Sequence, residues 1–217
     1  MIIWNQIDTV LLDMDGTLLD LHFDNYFWTV YLPQKWGEQN GVDMATAMDR
    51  IMPQLQSRVG TLSWYCLDFW SEQLGIDILL LKDDIRHLIR ERPGTLDFLQ
   101  FLTRTGKTRA LVTNAHHNLI SMKFECTAIG QHLEHVFCAH HFGYPKEDVR
   151  FWEELHAVFP FNPERTLLID DNLSVLDSAK RYGIRHLLTI AQPDSRQPRR
   201  EDVAGFTAIE SFDDLAE

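Results

Sequence analysis

Short apolar runs alternate with stretches of helical period over most of this chain. The first run, at residues 10–12, is followed by runs at 108–113, 136–139, 166–169 and 186–189. Each has the length and the mainly apolar character of a strand buried in a sheet. Between these runs, the spacing of apolar residues predicts helices over 95–105, 118–128, 147–159 and 174–182. Strands and helices that alternate in this way predict an α/β fold with a parallel sheet and right-handed crossovers.

Residues 21–91 interrupt the alternation, because they contain no convincing strand pattern. Phe23, Phe27, Val30 and Tyr31 are spaced as on the buried face of an amphipathic helix. We therefore expect a helical cap over residues 20–91, inserted directly after the first strand. Residues 1–19 and 92–217 would then form the catalytic core.

The predicted cap is rich in aromatic residues, and these invite two interpretations. Stacking on a nucleobase would give an aromatic ring a role in substrate binding. The helical spacing favours simple packing inside the cap for most of them, with one or two lining a cleft. The residues concerned are Tyr26, Phe27, Trp28, Trp64, Tyr65 and Trp70.

The charge of the chain limits its partners. Its net charge of −12 and the absence of a basic stripe argue against nucleic acid as a ligand. The densest basic group, Arg196, Arg199 and Arg200, is expected in a solvated loop. An acidic protein that binds a phosphate needs a local positive source, such as a metal ion.

The cysteines and the absence of targeting signals indicate a cytoplasmic protein. Cys66, Cys126 and Cys138 are scattered and odd in number, which is typical of reduced thiols and not of disulfides or a zinc site. The first residues carry no basic segment, so we expect no signal peptide. No apolar run reaches 18 residues, so we also expect no membrane span.

Polar side chains collect where the predicted strands end. Because ligands bind at the carboxyl ends of strands in open α/β sheets, these side chains are candidates for one site. Gly16 allows the chain to turn away after the first strand. Four carboxylates in one place raise one another's pKa values or require a cation, and hard oxygen ligands suit Mg²⁺. The strand-end residues are Asp13 and Asp15, Thr113 and Asn114, and Asp170 and Asp171, with Lys146 in the loop before a predicted helix.

This set of residues suits phosphoryl transfer. A carboxylate such as Asp13 can attack phosphorus and form an aspartyl-phosphate. Lys146 and Mg²⁺ would supply positive charge, while Thr113 and Asn114 would hold the phosphate oxygens by hydrogen bonds. Asp15 would protonate the leaving alkoxide and then accept a proton from the attacking water.

The same residues resemble the four motifs of the haloacid dehalogenase superfamily of phosphohydrolases. The motifs are 13–17, 111–114, Lys146 and 170–171, and the resemblance covers the whole chain. It implies a Rossmann-like core, an Mg²⁺ requirement, Asp13 as nucleophile and Asp15 as general acid/base. It also implies that the metal is held by the Asp13 carboxylate, the Asp15 backbone carbonyl and Asp171. For Asp170, we favour a supporting role over direct ligation.

Further segments look like the bacterial GMP/IMP nucleotidase branch of that superfamily. They are residues 18–28, 64–75, 113–116 and 142–148. This resemblance implies hydrolysis of purine 5′-monophosphates to nucleoside and phosphate. Val175 departs from the commoner pattern, in which a further aspartate follows the fourth motif.

Other functions share the same core. A phosphatase for a small sugar phosphate or phosphoglycolate is the main alternative, and a phosphomutase is another. Dehalogenation is not expected, because that chemistry does not use the second aspartate, and Asp15 is present. A non-catalytic nucleotide-binding regulator would be expected to have lost Asp13, Asp15 or Lys146, and the chain retains all three.

Overall fold

A six-stranded parallel sheet forms the centre of the protein in a computed structural model that describes residues 2–215. Its strands are ordered β3-β2-β1-β4-β5-β6. This confirms the predicted α/β class. The five predicted strands are all present to within a residue or two, and the short β6 is an addition that the apolar pattern did not reveal. The strands are β1 (Thr9–Leu12), β2 (Thr108–Thr113), β3 (His135–Cys138), β4 (Thr166–Ile169), β5 (His186–Ile190) and β6 (Thr207–Ile209).

The segment after β1 is helical, as the sequence predicts, and we call residues 22–88 the helical insertion. Asp43 caps its longest helix by accepting a hydrogen bond from the backbone N–H of Thr46 at 2.8 Å. A π-helical turn, Phe27–Tyr31, joins its first two helices. The helices are α1 (His22–Tyr26), α2 (Leu32–Asn40), α3 (Met44–Gln56), α4 (Leu67–Leu74) and α5 (Ile78–Asp84).

Five further helices connect the strands that follow. Four of them correspond to the predicted helices, with ends that differ by one or two residues, and α8 is a single turn. They are α6 (Thr95–Arg104), α7 (His117–Cys126), α8 (Ala139–Phe142), α9 (Val149–Val158) and α10 (Leu173–Tyr182).

The register of the sheet brings its carboxyl ends to one level. β1 lies between β2 and β4, and Leu12 is opposite both Leu111 and Ile169. The residues after these three strands therefore face the same edge, as expected for parallel strands.

Apolar side chains fill both faces of the sheet. One buried cluster continues from the sheet into the helical insertion, so Leu12 and Phe27 belong to the same core. A second cluster lies under α9 and α10 and includes Trp152 and Leu176. Full burial of such a side chain stabilises the fold by about 1.5–3 kcal/mol. The insertion is thus anchored to the sheet by a shared apolar core.

The chain enters and leaves the insertion along neighbouring stretches of backbone. The N–H of Asp20 donates to the carbonyl of Arg90 at 2.9 Å, and the N–H of Arg92 donates to Leu18 at 2.9 Å. The division into a core of residues 1–19 and 92–217 and a cap of residues 20–91 stays a prediction. Among residues 2–215, no helix is both long and apolar enough to cross a bilayer.

Candidate functional site

The turn after β1 directs two carboxylates in different directions. Gly16 has a φ of +82°, in the left-handed region that favours glycine. A Cβ on Gly16 would lie 2.7 Å from the carboxyl group of Asp171. Glycine is therefore needed here both for its conformation and for the close approach of the fourth motif. Asp13 points to the sheet edge, whereas Asp15 points towards the helical insertion.

Lys146 is the cation at the sheet edge. Its Nζ donates to Asp13 Oδ1 at 2.6 Å, to Asp170 Oδ2 at 2.6 Å and to the carbonyl of Val112 at 3.0 Å. Burial alone lowers the pKa of Lys146, but the two adjacent carboxylates more than compensate and hold it above its usual value. The ammonium group is therefore charged and fixed in position.

Asp171 completes an acidic group with Asp13 and Asp170. Ligand oxygens of the three carboxylates lie within 4.8 Å of one another. Burial and the neighbouring Asp13 raise the pKa of Asp171 to about 7. We call Asp13, Asp170, Asp171 and Lys146 the sheet-edge cluster. It contains three acids and one lysine, and this excess of negative charge fits a divalent cation.

Asp170 is held in the cluster by donors to both of its carboxylate oxygens. Its Oδ2 accepts from Lys146, and its Oδ1 accepts from the backbone N–H of Asn172 at 2.9 Å. Both oxygens thus already have donors. This arrangement favours the supporting role expected for Asp170 over direct metal ligation.

Arg200 corrects one expectation from the sequence. Its guanidinium donates to the backbone carbonyl of Asp171 and approaches Asp171 Oδ2 at 3.3 Å. Arg200 also lines the cleft, so it does not lie in a purely solvated loop. Arg199 does face solvent, where it pairs with Glu210.

Thr113 and Asn114 follow β2 at the same edge. The hydroxyl oxygen of Thr113 accepts from the N–H of Ala115 at 3.0 Å, which leaves its own O–H to donate. Asn114 Oδ1 accepts from the backbone N–H of Lys146 at 2.9 Å, and its Nδ2 donates to Glu147 Oε2 at 2.9 Å. The Asn114 side chain therefore holds the loop that carries Lys146, with one N–H left for another acceptor.

Glu147 also connects this side of the cleft to the insertion. The hydroxyl of Tyr65 donates to Glu147 Oε1 at 2.6 Å. Asn172 Nδ2 donates to the same oxygen at 3.1 Å. This contact is a polar connection between the insertion and the loop that carries Lys146.

A second connection is a group of four charged residues, in which two buried lysines pair with two partly exposed aspartates. Lys123 Nζ donates to Asp15 Oδ1 at 2.5 Å and to Asp24 Oδ2 at 2.7 Å. Lys82 Nζ donates to the other oxygen of Asp24 at 2.7 Å. We call Asp15, Asp24, Lys82 and Lys123 the interface cluster. It contains two acids and two lysines, so its charges balance without a further ion.

Burial shapes the titration of the interface cluster. It raises the pKa of Asp15 to about 6, against the lowering effect of Lys123. Burial raises the pKa of Asp24, but the two lysines lower it by more. The pKa of this carboxyl therefore lies well below its usual value, and the group is ionised. Burial also lowers the pKa of Lys82, whose ammonium lies 4.2 Å from the ring centroid of Phe27.

A cleft of about 510 Å³ opens between the sheet edge and the insertion. Its size is typical of small-molecule sites. Of the aromatic residues singled out in the sequence, Trp28, Trp64 and Tyr65 line it, which is more than the one or two expected. The rings of Trp28 and Trp64 are stacked, 6.4 Å apart and inclined by 25°. Phe27 and Trp70 are buried in the core.

The structure brings the predicted site residues to one cleft. Its lining includes Asp13, Asp15, Thr113, Asn114, Lys146, Asp170 and Asp171. Sequence reasoning assigned no role to Asp24, Lys82 or Lys123, which lie in three separate helices, although Asp24 falls in the segment 18–28 that resembles the nucleotidase branch. A polar residue on an otherwise apolar helix face was the only other signal.

Comparisons with known proteins agree with this geometry. A family model described as a haloacid dehalogenase-like hydrolase matches residues 7–183. GMP/IMP nucleotidase YrfG of Escherichia coli (strain K12) is 47% identical over 194 residues, which cover 89% of this chain and 87% of that protein. Both findings confirm the resemblance drawn from the four motifs.

Solved structures share the fold. A HAD phosphatase from Thermococcus onnurineus has a TM-score of 0.78 at 19% identity, covering 96% of each chain. CbbY from Rhodobacter sphaeroides, solved in complex with phosphate, has a TM-score of 0.69 at 18% identity and also covers 96% of each chain. At these identities, the likeness shows the fold alone.

Proposed function

Because the chain belongs to the haloacid dehalogenase-like hydrolase family, we propose that it hydrolyses purine nucleoside 5′-monophosphates through an aspartyl-phosphate on Asp13. The family and the nucleotidase relative make it a phosphomonoester hydrolase. The observation that carries the covalent mechanism is the position of Asp13, buried beside Lys146 on the floor of the cleft. GMP and IMP, the substrates in the relative's name, are the proposed substrates here.

The donor set of the sheet-edge cluster fits Mg²⁺. Three carboxylates lie together; Lys146 pairs with Asp13 and Asp170, while Arg200 approaches Asp171, and oxygen ligands are those that Mg²⁺ prefers. The carboxylates of Asp13 and Asp171, with the backbone carbonyl of Asp15, would hold the ion. When bound, it supplies positive charge to the phosphate oxygens.

In the first step, an oxygen of Asp13 attacks phosphorus and the bond from phosphorus to the ester oxygen breaks. Asp15 gives its proton to the departing alkoxide, which leaves as the nucleoside. Lys146 supplies positive charge beside the phosphoryl group, and the hydroxyl of Thr113 donates to one of its oxygens. The remaining N–H of the Asn114 amide donates to a phosphoryl oxygen as well.

In the second step, water attacks phosphorus and Asp15 takes its proton. The bond between phosphorus and the Asp13 oxygen breaks, which releases inorganic phosphate and restores both carboxyl groups. Because Asp15 gives and then regains one proton, the cycle is balanced. A pKa of about 6 suits a group that acts as acid and then as base near neutral pH.

The wall of the cleft supports a nucleotide over a smaller ester. Trp28 and Trp64 are only partly buried and present aromatic surface beside the phosphate site. Stacking of a base on such a ring is worth about 0.5–1.5 kcal/mol beyond the area that it buries. We also propose that the enzyme acts in the cytoplasm, where Cys66, Cys126 and Cys138 would stay reduced.

Two measurements test this function. Ranking GMP, IMP, AMP, pyrimidine monophosphates and sugar phosphates by kcat/KM should place the two 6-oxopurine nucleotides first. A sugar phosphate preferred by about 100-fold, a difference of about 3 kcal/mol, would overturn the assignment.

The covalent mechanism is tested separately with Asp13→Asn. This variant should fold but lose at least about 10⁴-fold in kcat, because the nucleophile is gone. Rapid quenching of the wild-type enzyme during turnover should recover a phosphorylated Asp13 by mass spectrometry. Normal turnover by Asp13→Asn would disprove the aspartyl-phosphate.

A further inference from the structure

We infer that Lys123 is a positioning residue that fixes the carboxylate of Asp15, and that it does so on an anchor, Asp24, which the helical insertion supplies. This inference rests on the proposed role of Asp15 in proton transfer. It adds two residues to the machinery, neither of which belongs to the four motifs.

The first support is the geometry around the Lys123 ammonium. Its two carboxylate contacts, at 2.5 Å to Asp15 and 2.7 Å to Asp24, fall on different oxygens of different residues. The lysine side chain is 1% exposed, whereas those of Asp15 and Asp24 are 21% and 16% exposed. A buried ammonium thus holds two carboxylates that both border the cleft.

The second support is the origin of the three residues. Lys123 lies in α7, which follows β2 in the sheet-containing part of the chain. Asp24 lies in α1 of the insertion, where Lys82 of α5 holds its other oxygen at 2.7 Å. The insertion therefore places the anchor, and the core supplies the lysine.

The third support is charge balance. A lysine buried without a partner would be strongly unfavourable, and so would either aspartate alone. In the interface cluster, each charge has a partner of opposite sign at hydrogen-bond distance. Such a fully paired group has one favoured arrangement, and Asp15 is the member of it that faces the scissile ester in the proposed mechanism.

The consequence is that proton donation by Asp15 depends on the insertion. When Asp24 is in place, Lys123 is held from both sides and Asp15 has a defined orientation. If the insertion moved away, Lys123 would lose Asp24 and Asp15 would lose its fixed support. Phosphoryl transfer to a poor leaving group would then slow, because an alkoxide needs a well-placed proton donor.

The test compares two leaving groups in single-turnover experiments with enzyme in excess. IMP releases an alkoxide that needs protonation, whereas p-nitrophenyl phosphate releases a stable phenolate that does not. We expect Lys123→Met to slow release of inosine about 10–100-fold more than release of p-nitrophenol. Asp24→Asn should also slow release of inosine more than release of p-nitrophenol, but to a smaller degree. The asparagine side chain has the same shape as the aspartate, but it removes the charge that anchors Lys123.

Lys82→Met is the matched control. It removes a buried lysine from the same cluster, but one that contacts Asp24 and not Asp15. Because Lys82 acts on Asp15 only through Asp24, we expect the preference of Lys82→Met between the two leaving groups to be much smaller than that of Lys123→Met. An equal loss for both substrates in Lys123→Met and Asp24→Asn, or an equally large preference in Lys82→Met, would overturn the inference.

Two precautions keep the result decisive. If Lys123→Met does not fold, the inference is tested with Asp24→Asn alone, by the ratio of its effect on inosine release to its effect on p-nitrophenol release. If wild-type enzyme does not release inosine from IMP, the proposed function fails first, and the best alkyl phosphate from the substrate ranking replaces IMP. Failure of the function and failure of the positioning role are then seen in different measurements.

Discussion

The sheet-edge and interface clusters lie on either side of one turn, yet their charges are balanced differently. The sheet-edge cluster has three carboxylates for one lysine, whereas the interface cluster has two of each. Charges buried without partners are costly. A further cation would offset the excess of carboxylates in the first cluster, which Lys146 and the more distant Arg200 balance only in part, whereas each charge of the second cluster already has a partner. In our proposal, the unbalanced cluster is the one that binds an ion, and the balanced cluster is the one that joins the insertion to α7.

Residues 13–15 contribute one carboxylate to each cluster. Asp13 continues from β1 and remains within the hydrogen-bonding pattern of the sheet, since its N–H donates to Ile169 at 3.0 Å. Asp15 lies beyond the strand, just before Gly16, and turns towards α1 and α7. Two carboxylates that are neighbours in the chain thus acquire different partners and, in our proposal, different chemical roles.

Removing the lysine from each cluster should give the largest contrast. Lys146→Met and Lys123→Met each leave buried carboxylates unpaired, so we expect each to lower the free energy of unfolding by about 3–5 kcal/mol without metal. Saturating Mg²⁺ should restore part of the loss in Lys146→Met, because the ion replaces the missing positive charge. It should restore nothing in Lys123→Met beyond the gain seen for wild type.

Urea denaturation with Mg²⁺ and with EDTA measures this contrast. A gain of about 2.7 kcal/mol is expected for a site at 100 times its Kd. Equal recovery of both variants would show that the two clusters do not differ in their need for a cation.

The pH dependence of the sheet-edge cluster should be smaller but of defined sign. The pKa of Asp171 is raised from 3.8 to about 7 by burial. Between those values, the folded metal-free protein binds a proton that the unfolded chain does not. This contribution therefore favours the folded state in acid, and it is lost as the pH rises through 7.

Mg²⁺ competes with the same proton. We expect its affinity to fall by about tenfold per pH unit below pH 7, as measured by calorimetric titration between pH 5.5 and 8. Asp171→Asn should abolish this dependence together with most of the affinity. An affinity independent of pH in wild type would contradict the role of Asp171 as a ligand.

The smallest effect should come from the hydrogen bond between Tyr65 and Glu147, which joins the insertion to the loop after Lys146. Tyr65→Phe removes the donor to Glu147, which keeps its contacts with Asn114 and Asn172. We expect a loss of about 0.5–1.5 kcal/mol in the free energy of unfolding and a change of less than about tenfold in kcat/KM. Tyr31→Phe, which removes an exposed hydrogen bond to Asp84, is the control and should leave kcat/KM unchanged. A loss as large as that in Lys123→Met would show that the charged connection is not the stronger one.

The sequence predicted the sheet-edge cluster better than the interface cluster for a physical reason. Residues that follow buried parallel strands must meet at one edge, so Asp13 and Asp171 could be placed together from the strand pattern alone. Lys146 lies in a loop beyond α8 and was added because it stands between the strand-end motifs. No such rule relates Asp24, Lys82 and Lys123, since contacts between helices depend on packing angles that the pattern does not reveal.

The same limits explain the smaller differences. Strand β6 is only three residues long and two of them are exposed, so its pattern carries almost no apolar signal. The π-helical turn, Phe27–Tyr31, has a sequence that is equally compatible with an ordinary helix. Arg200 reaches Asp171 from a loop without regular structure, where local sequence says little about direction.

The backbone segments 18–20 and 90–92, which lead into and out of the insertion, are hydrogen-bonded to each other, and this bears on how such proteins diversify. Since the chain departs and returns through adjacent, mutually bonded segments, the intervening piece resembles a module on a two-stranded stalk. Evolution or design could exchange that module for one of another shape while the strand-end carboxylates keep their places. Substrate choice and phosphoryl chemistry would then change independently, except where a salt bridge such as Asp24–Lys123 must be rebuilt across the seam.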